Sequence, residues 1–237
     1  MKRELIIAID GPSGSGKSTL SRRLAAALDY TNIDTGAMYR SVGLAAHRAG
    51  IDTGDDRALN TLCAGLSIEF VRKDEEEQVW LNGEDVSEAI RTPEMSLMAS
   101  RVSANAAVRK TMLGLQRALG ERGGVILEGR DIGTVVFPRA EVKFFLKASA
   151  RERGRRRCQE LRDKGLDVSL EQTIEEVKQR DAADTNRLHA PLLQAEDAVV
   201  IDTTAMTIDQ VLQQMIAVVA ERRQRAGPVF TRKESGS

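Results

Sequence analysis

The chain has 237 residues, 41% hydrophobic and 30% charged, a balance that fits a folded protein with a sizeable core and excludes a disordered chain. Its 35 basic residues offset 35 acidic ones, so net charge gives no reason to expect nucleic-acid or membrane binding, and any anion site must come from locally clustered arginines. The two cysteines, Cys63 and Cys158, form no CxxC and no ligand cluster, which reads as buried thiols in a reducing cytosol.

The apolar run before Gly11 is too short for a signal peptide or a membrane span, and a cytoplasmic protein is expected. Leu5 to Asp10 (LIIAID) predicts a buried parallel strand. Gly11-Pro12-Ser13-Gly14-Ser15-Gly16-Lys17-Ser18 follows at once and fits G-x-x-x-x-G-K-[ST]. Thr19 opens a helix whose Leu20, Leu24 and Leu28 form one apolar stripe. In that context the glycines let backbone N–H groups converge on phosphate oxygens. Lys17 is expected to reach the β- and γ-phosphates, and the Ser18 hydroxyl to sit by Mg²⁺.

Asp34-Thr35-Gly36-Ala37-Met38-Tyr39-Arg40 follows a short strand at Tyr30 to Ile33 and opens a helix, with Thr35 as its expected cap. From Leu62 to Pro93 the α/β rhythm is interrupted. Two strand candidates, Ser67 to Val71 and Gln78 to Leu81, are joined by the charged turn Arg72 to Glu77 and followed by Asn82-Gly83. This is expected to be a small β-containing insert, 62–93, on a core formed by 1–61 and 94–225. Helical sequence is expected from about Glu94 to Glu121 and from Leu170 to Leu188. A strand at Val125 to Leu127 runs into Glu128-Gly129-Arg130-Asp131-Ile132-Gly133-Thr134, which places Arg130 and Asp131 beyond a strand's carboxyl end, where α/β proteins bind ligands.

Val142 to Leu146 is a further strand, leading into Arg151 to Arg157 with five arginines in seven residues. On a helix, Arg153, Arg156 and Arg157 share a face. That face reads equally as a solvated basic surface. Arg180, Asp184 and Arg187 lie within about 60° of one another around a helix, a spacing that also suits a surface salt-bridge ladder. A last strand, Ala198 to Ile201, precedes an amphipathic helix from Thr207 to about Arg225, with Ile208, Leu212, Met215 and Val219 expected on its buried face. Residues 226–237 are expected to be a frayed tail. His47 and His189 match no catalytic or metal-ligand pattern and receive no role.

Together, GPSGSGKST (11–19), DTGAMYR (34–40), GRDIGTVVFP (129–138) and the Arg180–Asp184–Arg187 helix resemble the bacterial cytidylate kinases, over roughly Leu5 to Arg222. The resemblance implies a P-loop parallel sheet flanked by helices, an arginine-bearing lid near 151–170, and an enlarged nucleoside-monophosphate-binding insert. It implies ATP-dependent phosphorylation of CMP and dCMP with Mg²⁺ as cofactor, by a monomer with no nucleic-acid or membrane partner. It also implies site roles. Arg40, Arg130 and Arg187 would hold the CMP phosphate, Thr35 would lie near the acceptor, and Ser100, Arg109 and Asp131 would read the cytosine. Arg180 and Asp184 would contact the sugar, while Lys17, Arg153, Arg156 and Arg157 would face the transferring phosphate.

Overall fold

The computed structural model describes residues 4–73 and 76–225, so the expected tail at 226–237 lies outside the described residues. From the N-terminus, β1 (Ile6–Asp10) enters the phosphate loop and α1 (Lys17–Leu28), and β2 (Thr31–Asp34) enters α2 (Thr35–Arg48). Next come α3 (Asp56–Ala64), β3 (Ile68–Lys73), β4 (Glu76–Leu81), β5 (Glu84–Asp85), α4 (Pro93–Val102) and α5 (Ala106–Gly120). The chain then forms β6 (Val125–Gly129), a π-turn (Ile132–Val136), β7 (Val142–Lys147), α6 (Ala150–Asp163), α7 (Leu170–Asn186), β8 (Val199–Asp202) and α8 (Ile208–Arg225).

The main sheet is wholly parallel, in the order β2-β6-β1-β7-β8. Its strands are near-continuous apolar runs because helices cover both faces. Ile7 and Ile9 point to the side packed by α1 and α8, with Leu20, Leu24, Phe144 and Met215. Ala8, Ile33 and Leu127 point to the other side, with Met38, Val42 and Met112. Register aligns Asp10 with Gly129 and Asp34 with Glu128, so several carboxylates gather at the same carboxyl-terminal edge.

The smaller sheet is antiparallel, β3-β4-β5. Asn82 and Gly83 both take positive φ (50° and 82°), the geometry of a two-residue hairpin turn whose twist matches its strands. Ile68, Val79 and Leu81 bury one face of this sheet in the core beside α2 and α3. The expected interruption is therefore present, with one helix that sequence reading did not separate: α3 runs across position 62.

Two other local expectations differ. The helical run from 94 to 121 is broken, because Asn105 turns its side-chain oxygen to the N–H groups of Ala107 and Val108 and caps a new helix. In α8 the buried line is Val211, Met215 and Val219, while Ile208 is 43% exposed, because the contact with α1 and the sheet begins one turn further along.

α6 and α7 approach closely at Gly154. A Cβ there would lie 2.4 Å from Ile174 Cγ1 and 3.0 Å from its Cα. Gly154→Ala is therefore expected to destabilise the fold by about 1–3 kcal/mol, the usual cost of overpacking, read as a lower urea midpoint with an unchanged slope.

Candidate active site

The phosphate loop closes between β1 and α1. Gly11 has φ 151°, and a Cβ on it would meet the Leu146 carbonyl oxygen at 2.3 Å, so only glycine fits where the loop leaves the sheet. Lys17 folds back over the loop, its Nζ donating to the Pro12 carbonyl at 2.7 Å. Burial pulls its pKa down to about 7, helped by the like charge of Arg130. The Ser18 hydroxyl donates to Glu128 Oε2 at 2.9 Å, and the buried Ser15 Oγ has no hydrogen-bond partner. Glu128 itself is pushed up to about 7, chiefly by burial and then by the neighbouring Asp34 carboxylate.

The arginine-rich helix α6 lies against this loop. Arg153 is only 4% exposed and binds Asp181 through both Nη atoms. It also donates to the carbonyls of Ser13 (3.1 Å) and Ala148 (2.9 Å). Here it braces the loop from behind. Arg156 bonds the Thr203 carbonyl at 2.6 Å and Glu152 at 2.9 Å, and Arg157 pairs with Glu160 at 2.8 Å.

On the acceptor side, Asp34 and not Thr35 caps α2: its carboxylate accepts from Ala37 N at 2.9 Å and pairs with Arg40 at 2.8 Å. The reason is one of position. Thr35 is already the first helical residue, and its hydroxyl donates sideways to the Glu128 carbonyl at 2.7 Å. Arg130 Nε donates to Asp184 Oδ2 at 2.7 Å. Asp131 is paired with Arg109, and its other oxygen lies 3.7 Å from Arg187 Nη2, beyond hydrogen-bonding distance. Arg187 Nε donates to the Ala190 carbonyl at 2.6 Å.

The electrostatics of this cluster are unbalanced in one direction. Arg180 is lowered to about 10 by burial and then by Arg130, and Arg187 is lowered by burial and then by Arg109. Among the described residues, Arg40 Nε, Arg180 Nε and Arg187 Nη2 are all buried without a hydrogen-bond partner. An unmet buried donor costs about 1–3 kcal/mol, so these three nitrogens remain free to meet an acceptor atom.

Beside them lies a cavity of ≈ 200 Å³ whose walls include Tyr39, Arg109, Gln116, Asp131 and His189. The Arg109 guanidinium stands 5.9 Å from the centre of the Tyr39 ring. The structure thus brings together Arg40, Arg109, Arg130, Asp131, Arg180, Asp184 and Arg187. Ser100 sits half-buried on α4 and is not among the residues lining this cavity.

Sequence reading passed over Asp10, Asp34, Glu128, Tyr39 and Asp181 as functional groups, and gave His189 no role. Asp10 and Glu128 carried a usable signal: each is an acidic residue closing a buried strand beside a motif. Asp181 and His189 carried none, since only the packing of α7 brings them here.

A phosphate loop on a parallel sheet, facing a second arginine cluster across the carboxyl edge, defines a P-loop nucleotide-binding protein with a separate site for an anionic acceptor. The family model described as cytidylate kinase matches residues 7–221. A cytidylate kinase of Syntrophotalea carbinolica is 71% identical over 96% of this chain and 97% of the relative. One of Geobacter sulfurreducens is 57% identical over 96% and 97%. The chain belongs to the cytidylate kinase family.

Proposed function

We propose that the chain transfers the γ-phosphoryl group of ATP to CMP, and to dCMP, releasing ADP and the nucleoside diphosphate. The observation that carries this reading is the trio of buried nitrogens on Arg40, Arg180 and Arg187 with no hydrogen-bond partner among the described residues, on a chain that also forms the phosphate loop and the Arg109–Asp131 cavity.

Phosphoryl transfer needs in-line positioning and neutralisation of charge more than covalent help from the protein. The loop 11–19 binds the ATP phosphates, with Lys17 on the β- and γ-groups. Arg153 fixes the loop from behind, and Arg156 and Arg157 supply further positive charge over the donor. Arg40, Arg130 and Arg187, beside Thr35, hold the CMP phosphate, while Arg180 and Asp184 meet the sugar hydroxyls. Asp131 accepts from the exocyclic amine of cytosine and Arg109 donates to its N3 and O2 edge, with Ser100 reaching the base when the site closes. Segment 62–93 acts as the acceptor-side insert and 151–170 as a lid, whose closure keeps water from the donor.

The Ser18 hydroxyl, oriented by Glu128, is a hard oxygen ligand suited to Mg²⁺, with the ATP phosphates completing the set. Mg²⁺ held there would supply charge neutralisation for the phosphates. Among the described residues no helix is long and apolar enough to cross a membrane.

With ATP and Mg²⁺, CMP is expected to be converted stoichiometrically to CDP, measured by chromatographic separation of the nucleotides. ADP formed at the same rate with and without CMP would overturn the assignment.

A further inference from the structure

We propose that Asp10 is a positioning residue for base selection, holding the stretch of backbone that presents Asp131 to the acceptor's base. The inference rests on the CMP reading above and adds to it a residue outside the motifs that met the nucleotides.

Asp10 is the last residue of β1, 4% exposed, immediately before the phosphate loop. Its Oδ1 accepts from Ile132 N at 2.8 Å and its Oδ2 from Gly133 N at 2.7 Å. These are the two residues that follow Asp131. Its backbone, meanwhile, is in register with Gly129, the residue before Arg130. One residue therefore pins both sides of the two-residue span Arg130-Asp131, by its main chain before and its side chain after. At the far end of the π-turn, Arg117 donates to the carbonyls of Val135 (3.0 Å) and Val136 (3.1 Å), so the turn is clamped at both ends.

The chemistry requires a carboxylate. Two converging N–H donors need two acceptor atoms, and a carboxamide would set an NH₂ group against one of them. Among the described residues Asp10 has no ion-pair partner; burial pushes its pKa up to about 6, and those N–H groups offset part of that cost. The site leaves room for it narrowly: a Cβ on Gly133 would meet Lys143 Cδ at 3.1 Å and Asp10 Oδ2 at 3.3 Å. The Asp131 side chain, by contrast, is paired with Arg109 and lies 3.7 Å from Arg187, both of them cations that the base must share. Its aim depends on the backbone beneath it.

The test measures kcat and KM for CMP and UMP at saturating ATP, with calorimetric affinity for a non-hydrolysable ATP analogue. Asp10→Asn is expected to lower the CMP-to-UMP ratio of kcat/KM about tenfold, mainly through KM for CMP, with analogue affinity within about twofold of wild type. Arg117→Ala, at the half-exposed end of the same turn, should move the ratio in the same direction by about threefold. If Asp10→Asn does not fold, Arg117→Ala decides. A wild-type ratio in a folded variant, or equal losses for both acceptors and for the ATP analogue, overturns the positioning role. A wild-type protein that does not prefer CMP overturns the functional reading itself, which the same data set reveals before any variant is compared.

Discussion

Lys17→Met is expected to reduce turnover of CMP by about 10²–10³ at saturating ATP while leaving the fold intact. The side chain is 6% exposed, and its charge is stabilised in the ligand-free protein only by the Pro12 carbonyl and distant carboxylates. Methionine fills much the same volume without a buried cation, so the thermal midpoint should equal or exceed that of wild type. That separates a lost charge from a lost structure. Because the folded pKa, about 7, lies below the 10.5 ordinary for lysine, the unfolded chain holds a proton in this window that the native one has released. Lys17 therefore makes stability rise with pH between those values. An added phosphate reverses the shift, so ATP binding above pH 7 should take up a proton. Calorimetry in buffers of different ionisation heat reads that uptake, and Lys17→Met should abolish it. Full kcat in the variant would remove Lys17 from the transferring phosphate.

Asp131→Asn is expected to lower the CMP-to-UMP ratio of kcat/KM by about ten- to a hundredfold, the worth of a charged hydrogen bond in a desolvated site. The carboxylate is 6% exposed, and burial raises its pKa even though Arg109 and Arg187 oppose the rise. While ionised it can only accept, which suits the cytosine amine and opposes O4 of uracil. Asparagine can turn its amide to offer either group, so use of UMP should suffer less than use of CMP, or improve. The ratio is the quantity to watch, because a folding defect lowers both rates alike. Removing the carboxylate also takes the paired counter-charge from Arg109 and leaves Arg187 with Asp184 alone at 3.9 Å among the described residues, which should lower stability by a further amount visible in thermal melts. A wild-type ratio in a folded variant would mean that Asp131 does not read the base.

Much of this molecule is legible in one dimension, and the reason is locality. The strand–loop–helix order around residues 5–28 depends on apolar runs and on glycines whose φ angles no other residue tolerates, and both are properties of neighbouring residues. The same holds for the Asn82-Gly83 turn and for Arg130-Asp131 at a strand end. Single-residue competition was harder to read. Asp34 and Thr35 are both good caps, and only the point where the backbone turns helical gives the role to Asp34 and sends the Thr35 hydroxyl to Glu128. The α4–α5 break likewise follows from how Asn105 bonds, not from a loss of apolar periodicity.

What only the tertiary structure decided is which charges face which. Five arginines between 151 and 157 look equivalent along the chain, yet the packing of α7 gives the buried Arg153 a carboxylate partner in Asp181 and leaves Arg155 on the surface. Parallel register carries Asp10, Glu128 and Asp34 to one edge although they lie up to 118 residues apart; there burial raises the pKa of Asp10 and Glu128, while at Asp34 burial is outweighed by Arg40 and the pKa falls. Sequence alone determined that this chain builds a phosphate loop and supplies enough arginine for a second anion. Burial and register determined which nitrogens of those arginines lack a hydrogen bond among the described residues, because desolvation acts through space and has no period in the sequence.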